Sequence, residues 1–134
     1  MAETSTGIHL TILTPEKTLF DRQVDSVVIT AHDGEMGFLP RHAPLITSLG
    51  IGERRARTSG ETLRFAIHGG FARMEDNQLL VLADVAEKPE EIDAGRAQNA
   101  LSRAREASMK KGGRHEYLRA IQRARTRLKI LPGD

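Results

Sequence analysis

The stretch TLRFAIHGGFARMEDNQLLVLADV, residues 62–85, indicates the fold of this chain more clearly than any other segment. In its first part Leu63, Phe65 and Ile67 fall on one side of an extended chain, and mostly polar residues fall on the other. Such alternation is typical of a strand with one buried face. QLLVLADV, residues 78–85, is apolar on both faces until its end and predicts a second strand.

Two earlier segments show the same short, alternating pattern. GIHLTIL, residues 7–13, and VDSVVITA, residues 24–31, are rich in residues that favour strands. Dipeptides that favour turns separate the predicted strands, namely Asp33-Gly34, Ser59-Gly60, Gly69-Gly70 and Asp76-Asn77. Because no helical pattern intervenes, we predict an antiparallel β-sandwich or barrel with no helix before residue 85.

The composition changes near Ala86. Residues 1–85 carry 8 Lys and Arg against 11 Asp and Glu, a net charge of −3, whereas residues 86–134 carry 12 against 7, a net charge of +5. All 4 Phe residues lie in the first part, and Ala, Arg and Glu dominate the second. We therefore predict a β domain over residues 1–86 and a helical segment over residues 87–134.

The pattern of residues 87–134 predicts an antiparallel hairpin of two helices. Its first helix begins near Pro89 and carries a stripe of mostly small residues, and Gly112-Gly113 ends it. The second helix runs from about Arg114 to Lys129. Because large apolar residues are few, the hairpin needs a partner surface. Either it packs permanently on the sheet, or it has more than one arrangement.

Several function classes lack the residues they require. The chain has no Cys, which excludes disulfides and thiolate metal sites. It shows no signal peptide and no apolar run near the roughly 20 residues of a membrane span, so we expect membrane contact only through partners. No nucleophile motif or phosphate loop occurs, and no catalytic residue is predicted.

Metal and nucleic-acid sites are not predicted either. His32, Asp33, Glu35 and His42 lie close in sequence, but their spacing matches no common metal site. The second predicted helix is strongly basic, yet it offers no aromatic platform on which bases would stack.

GEMGFLPRHAPLI, residues 34–46, combines glycine and proline with large apolar side chains. Pro40 and Pro44 fix their own φ and favour extended geometry in the residue before each. We predict a stiff surface loop, which is either a corner with its own apolar plug or a docking loop. In a docking loop the apolar patch would come from Phe38, Leu39 and Leu45, and Glu35, Arg41 and His42 would orient the partner.

This loop also resembles the GExGxxPxHxPL loop of the ε subunit of bacterial F-type ATP synthases. HGGFARMEDNQLLVLAD, residues 68–84, is similar to the family's GGxxEVxxNxVTVLAD stretch, with Arg73 and Met74 where Glu and Val are usual. LTILTPEKTLFD, residues 10–21, resembles the family's first strand and turn, and EEIDAGRAQNAL, residues 90–101, resembles the start of its first C-terminal helix. The resemblance implies an N-terminal antiparallel β-sandwich and a C-terminal two-helix hairpin.

The resemblance also implies a non-catalytic subunit of the central stalk, at the cytoplasmic face of the bacterial plasma membrane, that couples proton translocation to ATP synthesis. Its sandwich is expected to bind the γ subunit and to rest on the ring of c subunits. Its hairpin is expected to fold against the sandwich or to extend into the α/β catalytic hexamer and inhibit ATP hydrolysis. The residues expected to contact the c ring are Glu35, Phe38, Leu39 and His42.

IDAGRA, residues 92–97, resembles the IDxxRA motif with which some bacterial members bind ATP in the folded hairpin. In a hairpin that turns at Gly112-Gly113, Arg103 faces the neighbourhood of Arg123, and Arg96 that of Arg127. A triphosphate would relieve the repulsion among these four guanidinium groups. The predicted site comprises Glu87, Ile92, Asp93, Arg96, Ala97, Arg103, Arg123 and Arg127. ATP would be a regulatory ligand, and no cofactor is required.

A second hypothesis belongs to a different class of function. The chain would then be a free-standing β-sandwich binding module whose basic helical tail binds an anionic partner. Co-purification with a γ-like subunit at near equal stoichiometry distinguishes the two hypotheses.

Overall fold

The computed structural model describes residues 7–31 and 34–132. In this part of the chain a mainly β domain precedes a helical hairpin, as predicted, and no helix occurs before residue 85. The strands are β1 (Ile8–Leu13), β2 (Thr18–Val24), β3 (Ser26–Ala31), β4 (Gly34–Phe38), β5 (Leu45–Thr58), β6 (Glu61–Glu75), β7 (Gln78–Ala83) and β8 (Ala86–Glu87), and the helices are α1 (Ala94–Lys111) and α2 (His115–Ile130).

The strands form one hydrogen-bonded array in the order β2-β1-β7-β6-β5-β3-β4, and β8 pairs with β6. Among the described strands the pairs are antiparallel, except that β1 runs parallel to β7, with His9 opposite Gln78. The predicted antiparallel sandwich is therefore confirmed, with one parallel pair that strand patterns did not reveal.

Glycines fold this array into two layers. β5 and β6 pair from Leu45 and Met74 to Thr58 and Glu61, and the pairing lapses at Gly50 and Gly69. β7 pairs with the later half of β6, whereas β8 pairs with its earlier half. Glycine within a strand marks such bends. The long hairpin of β5 and β6 therefore belongs to both layers.

The predicted turn at Gly69-Gly70 is wrong, because both residues lie inside β6. Their positive φ angles, 86° and 135°, serve a bend in a continuous strand. The predicted turn at Asp76-Asn77 is confirmed, and both residues have positive φ, as tight hairpin turns require. Ser59 and Gly60 also have positive φ angles, and they form the turn that joins β5 to β6.

The hydrophobic core lies between the two layers. Inward side chains of β1 and β3 surround the same small internal space, and they include Leu10, Ile12, Val27 and Ile29. Phe20 of β2 meets Phe65 of β6 edge to face, with ring centroids 5.0 Å apart. Within the described residues this core cluster contains nothing after Ala86, so the sandwich has a core of its own.

The predicted surface loop over residues 34–46 is wrong in extent. Its first five residues form β4, which pairs with β3, and its last two begin β5. Residues 39–44 remain as the loop, in which Arg41 has a φ of 69° and its amide donates to Asn77 Oδ1 at 2.6 Å. The amide of His42 donates to the Leu39 carbonyl at 3.1 Å, so the loop is a closed turn.

The hairpin differs from its prediction at its start. Pro89–Glu91 form a single 3₁₀ turn, and α1 begins only at Ala94. Asp93 is the N-cap, and its carboxylate accepts from the amide of Arg96 at 3.0 Å. The helices pack through small residues, with Ala97 and Ala104 of α1 and Ala124 of α2 buried. Helix α2 also contacts β5 and β6.

Candidate functional site

A cavity of about 230 Å³ opens between α1, α2 and the segment that joins the sandwich to α1. Its lining consists of Glu87, Glu91, Ile92, Asp93, Arg96, Ala97, Ala100, Arg103 and Arg127. Seven of the eight residues predicted to bind ATP therefore lie together in the structure. Arg123 does not line the cavity, because it sits one helical turn from Arg127 toward the hairpin loop.

Sequence reasoning missed two lining residues, Glu91 and Ala100. Ala100 lies one turn beyond Arg96 on the same helix face, so the helical period would have found it. No sequence pattern predicted that Glu91 would line the cavity, because its position depends on the 3₁₀ turn of Pro89–Glu91. Its carboxylate pairs with Lys17, and that pair together with the amide of Lys88 holds the pKa of Glu91 below its ordinary value.

The cavity lining contains three carboxylates and three guanidinium groups. Glu87 is paired with Arg127, Glu91 with Lys17, and the Asp93 carboxylate caps α1. Within the described residues, the side chains of Arg96 and Arg103 form no ion pair. These two guanidinium groups lie beside a wall of alanines and can donate to the oxygens of an anionic ligand.

Glu87 connects the cavity to the sandwich. Its Oε1 accepts from Arg127 Nε at 2.8 Å and also contacts His68 Nε2 at 3.0 Å. His68 belongs to β6 and is buried, so one carboxylate joins β6, β8 and α2. Burial opposes ionisation of this carboxyl, but the hydrogen bonds from His68 and Arg127 outweigh it and hold the pKa of Glu87 below its ordinary value.

This shift predicts that acid weakens the contact between hairpin and sandwich. A carboxyl whose pKa is lower in the docked state stabilises that state above its ordinary pKa, and the contribution disappears as pH falls through the lowered value. We expect the protection factors of α2 amides, which are exchange rates corrected for the pH dependence of intrinsic exchange, to fall as pH falls below about 4.5.

The matched variant is Glu87→Gln, which keeps the shape of the side chain and removes the titrating group. It should weaken docking by about 1–3 kcal/mol at neutral pH and abolish the acid dependence. An unchanged acid dependence in this variant would assign the effect to other carboxyls.

A second carboxylate lies beneath α2. The side chain of Glu53 on β5 is only 2% exposed, 3.7 Å from Lys129 Nζ and 3.4 Å from Arg64 Nη1. A buried carboxylate needs such partners, because desolvation otherwise disfavours its charge. The hairpin therefore rests on the sandwich partly through charged contacts, in addition to the buried Thr126 and Ile130.

Of the four residues predicted to contact the c ring, Glu35 and Leu39 are exposed, His42 is partly exposed and Phe38 is buried. Phe38 is 1% exposed and belongs to the core, so its assignment as a contact residue is wrong. Its ring supports the loop, with its centroid 5.0 Å from that of His42. Leu39 and His42 lie in the loop, whereas Glu35 lies in β4 and pairs with Arg55. Leu39 is the exposed apolar member.

An exposed apolar face, which sequence patterns did not predict, covers the outer side of β5, β6 and β7. Its members are Ile46, Phe71 and Leu82, with exposed fractions of 70%, 60% and 48%. Phe71 lies directly opposite Leu82, and Ile46 opposite Arg73, two residues along β6. Adjacent exposed apolar residues of this kind mark interaction surfaces.

Two further findings concern metals and membranes. In residues 7–31 and 34–132, no three His, Asp or Glu side chains are placed to share a metal ion. His32 and Asp33, which were considered as metal ligands together with Glu35 and His42, lie outside the described residues. Neither helix in the described part has the length and apolar composition that crossing a bilayer demands.

Comparisons with known proteins agree with this architecture. The family model described as the β-sandwich domain of the ATP synthase delta/epsilon chain matches residues 7–89. The chain is 50% identical over 99 residues to the ATP synthase epsilon chain of Carboxydothermus hydrogenoformans, covering 74% of each chain. It is 40% identical over 128 residues to the chloroplastic ATP synthase epsilon chain of Nicotiana tomentosiformis, covering 92% of this chain and 96% of that relative.

Solved structures share the fold. A chain in the cryo-EM structure of Euglena gracilis mitochondrial ATP synthase, described as OSCP, F1 and c-ring, superposes with a TM-score of 0.71 at 24% identity. That match covers 96% of this chain and 79% of the other. The family model and these relatives, together with the motifs and the fold, show that the chain belongs to the family of ATP synthase epsilon chains.

Proposed function

We propose that this chain is a non-catalytic subunit of the central stalk of an F-type ATP synthase, peripheral to the cytoplasmic face of a bacterial plasma membrane. In this role it couples proton translocation to ATP synthesis and restrains ATP hydrolysis. Family membership favours this hypothesis over a free-standing binding module. One observation carries the regulatory part, namely that the hairpin lies outside the sandwich core and is held to it partly by charged contacts.

The exposed apolar face of Ile46, Phe71 and Leu82 is the proposed docking surface for the γ subunit. Its support is physical, because burial of these side chains against a partner removes apolar area from water. The loop of residues 39–44, with Leu39 and His42 exposed or partly exposed, is the proposed contact with the c ring. Its closed turn and its bond to Asn77 make it stiff enough to transmit force.

The hairpin is proposed to move between two arrangements. In the docked arrangement Arg127 and Lys129 are engaged by Glu87 and Glu53. In the extended arrangement these cations become available to the α/β hexamer, where the hairpin obstructs hydrolysis. Charged contacts suit such exchange, because their strength differs little between a partner carboxylate and an internal one.

ATP is proposed to bind the cavity between α1 and α2 and to favour the docked arrangement. Arg96 and Arg103, which form no ion pair with any residue that the structure describes, would hold the phosphates by charge-assisted hydrogen bonds. Ala97 and Ala100 leave room beside them. A ligand that binds only the docked state shifts the population toward that state. ATP is sensed in this scheme and is not hydrolysed.

Calorimetric titration of the whole chain with ATP tests the sensing role. We expect saturable binding, weakened about tenfold or more by Arg103→Gln, because that variant removes a charged donor from the cavity. The matched control is Arg105→Gln, which removes the same charge from an exposed position of α1 outside the cavity. Equal loss in both variants, or no saturation at millimolar ATP, would contradict the proposal.

A further inference from the structure

A second open space lies between α2 and the sandwich, apart from the cavity between α1 and α2. It is a groove of about 690 Å³, within the roughly 300–1,000 Å³ typical of ligand sites. One wall is α2, and the other is the part of β5 around the bend, residues 48–54. Closely packed elements normally leave no such gap between them.

The wall formed by α2 is basic along one face. Residues 115, 119, 122, 126 and 129 follow each other at helical spacing, and Arg125 lies beside them. Arg119, Arg125 and Lys129 are basic, and His115 lies at the same wall. Since like charges on one helix face repel each other, an anion in the groove would relieve that repulsion.

The opposite wall supplies a further cation and free space. Arg54 of β5 lines the groove and donates to the Gly50 carbonyl at 3.0 Å. A Cβ added to Gly50 would meet no heavy atom within 4 Å, so the wall is open there. Glu53 is the single carboxylate in the lining, and it already has Arg64 and Lys129 beside it.

The chemistry of the lining selects the class of anion. The cations are spread along α2, with Arg119 and Arg125 about 9 Å apart along the helix axis. A single phosphate ion reaches only one of them, whereas linked phosphates reach several. Guanidinium groups match phosphate oxygens in geometry.

We propose that the groove between α2 and β5 binds a linear inorganic polyphosphate. The polyphosphate contacts Arg119, Arg125 and Lys129 on α2. On the other wall it lies against the chain around Gly50 and Gly52, above the buried Arg54. Because it touches both the hairpin and the sandwich, it stabilises the docked hairpin. The site differs from the proposed ATP cavity in its residues, because the two linings have no residue in common.

Tripolyphosphate is the probe, titrated calorimetrically into the whole chain. We expect saturable binding that weakens with added salt, since the groove is open to solvent. The double variant Arg119→Gln/Arg125→Gln should bind at least about tenfold more weakly, because it loses two charged donors. The control Arg105→Gln/Lys110→Gln removes the same charge from exposed positions of α1 outside the groove and should bind as the unmodified chain does.

Two further measurements locate the probe. Amide chemical shifts of Gly50 and Gly52 should change on titration, and exchange of α2 amides should slow in the unmodified chain but not in the groove variant. The variant Arg96→Gln/Arg103→Gln separates the two sites and should keep its affinity for tripolyphosphate. No saturable binding, equal loss in the α1 control, or loss only in Arg96→Gln/Arg103→Gln would overturn the proposal.

Discussion

Replacing Gly70 by alanine should lower the free energy of unfolding by about 3 kcal/mol or more. Gly70 has a φ of 135°, which L-amino acids rarely adopt. A Cβ at this position would stand 2.1 Å from the Leu82 carbonyl oxygen and 2.9 Å from Ala83 Cα. Both obstructing atoms belong to the backbone of β7, so relief requires that the pairing of β6 with β7 shift or break.

The matched control is Gly37→Ala on β4. A Cβ at Gly37 meets nothing within 4 Å, and its φ lies outside the left-handed region. The substitution should change stability by no more than about 1 kcal/mol, in the stabilising direction, because alanine restricts the unfolded chain. Urea unfolding of both variants decides the matter. Equal midpoints would show that the bend at Gly70 tolerates a side chain.

The sequence predicted those strands whose alternation of apolar and polar residues is set by burial within a single layer of the sandwich. Residues 62–68 and 78–83 alternate or are wholly apolar, and the structure places them in β6 and β7. β5 escaped prediction because Glu53 and Arg54 are consecutive, charged and both buried. Helix α2 lies against β5 around residues 48–54, so in that part of the strand the usual contrast between a buried and a solvated face disappears.

The bend at Gly69-Gly70 illustrates a different limit. Paired glycines predict a turn when only the local chain is considered. Here the ladder to β5 resumes after a single gap, so the glycines bend a strand that continues. Only the partner strands distinguish these outcomes, and a single sequence does not show which strands are partners.

The candidate site was predictable where its residues share one helix or face each other across the hairpin. Arg96 and Arg103 lie on α1, and the symmetry of the hairpin brings Arg127 to them. No sequence pattern predicted the hydrogen bond between His68 and Glu87, because this contact depends on the pairing of β6 with β8. Phe38 was misassigned because an apolar residue in a segment rich in glycine and proline fits a core and a docking patch equally well.

Ending the chain after Glu87 should leave the sandwich folded. Among the described residues the core cluster ends at Ala86, and β8 survives this truncation. The sandwich loses the contacts that α2 makes with β5 and β6 and those that the 3₁₀ turn of Pro89–Glu91 makes with β6. It also loses the pair between Lys17 and Glu91, which contributes little. Cooperative thermal unfolding of the truncated chain should therefore persist. A chain that fails to fold would make the hairpin an integral part of the domain.

The central claim is that the hairpin regulates hydrolysis by leaving the sandwich. The direct measurement is ATP hydrolysis by the F1 complex reconstituted with the whole chain, with the chain that ends after Glu87, or with Glu87→Ala. Truncation should raise hydrolysis severalfold, because no hairpin remains to enter the hexamer. Glu87→Ala should lower it, because weaker docking releases the hairpin more often. Hydrolysis that is unchanged by truncation, or that rises in both variants, would contradict the account.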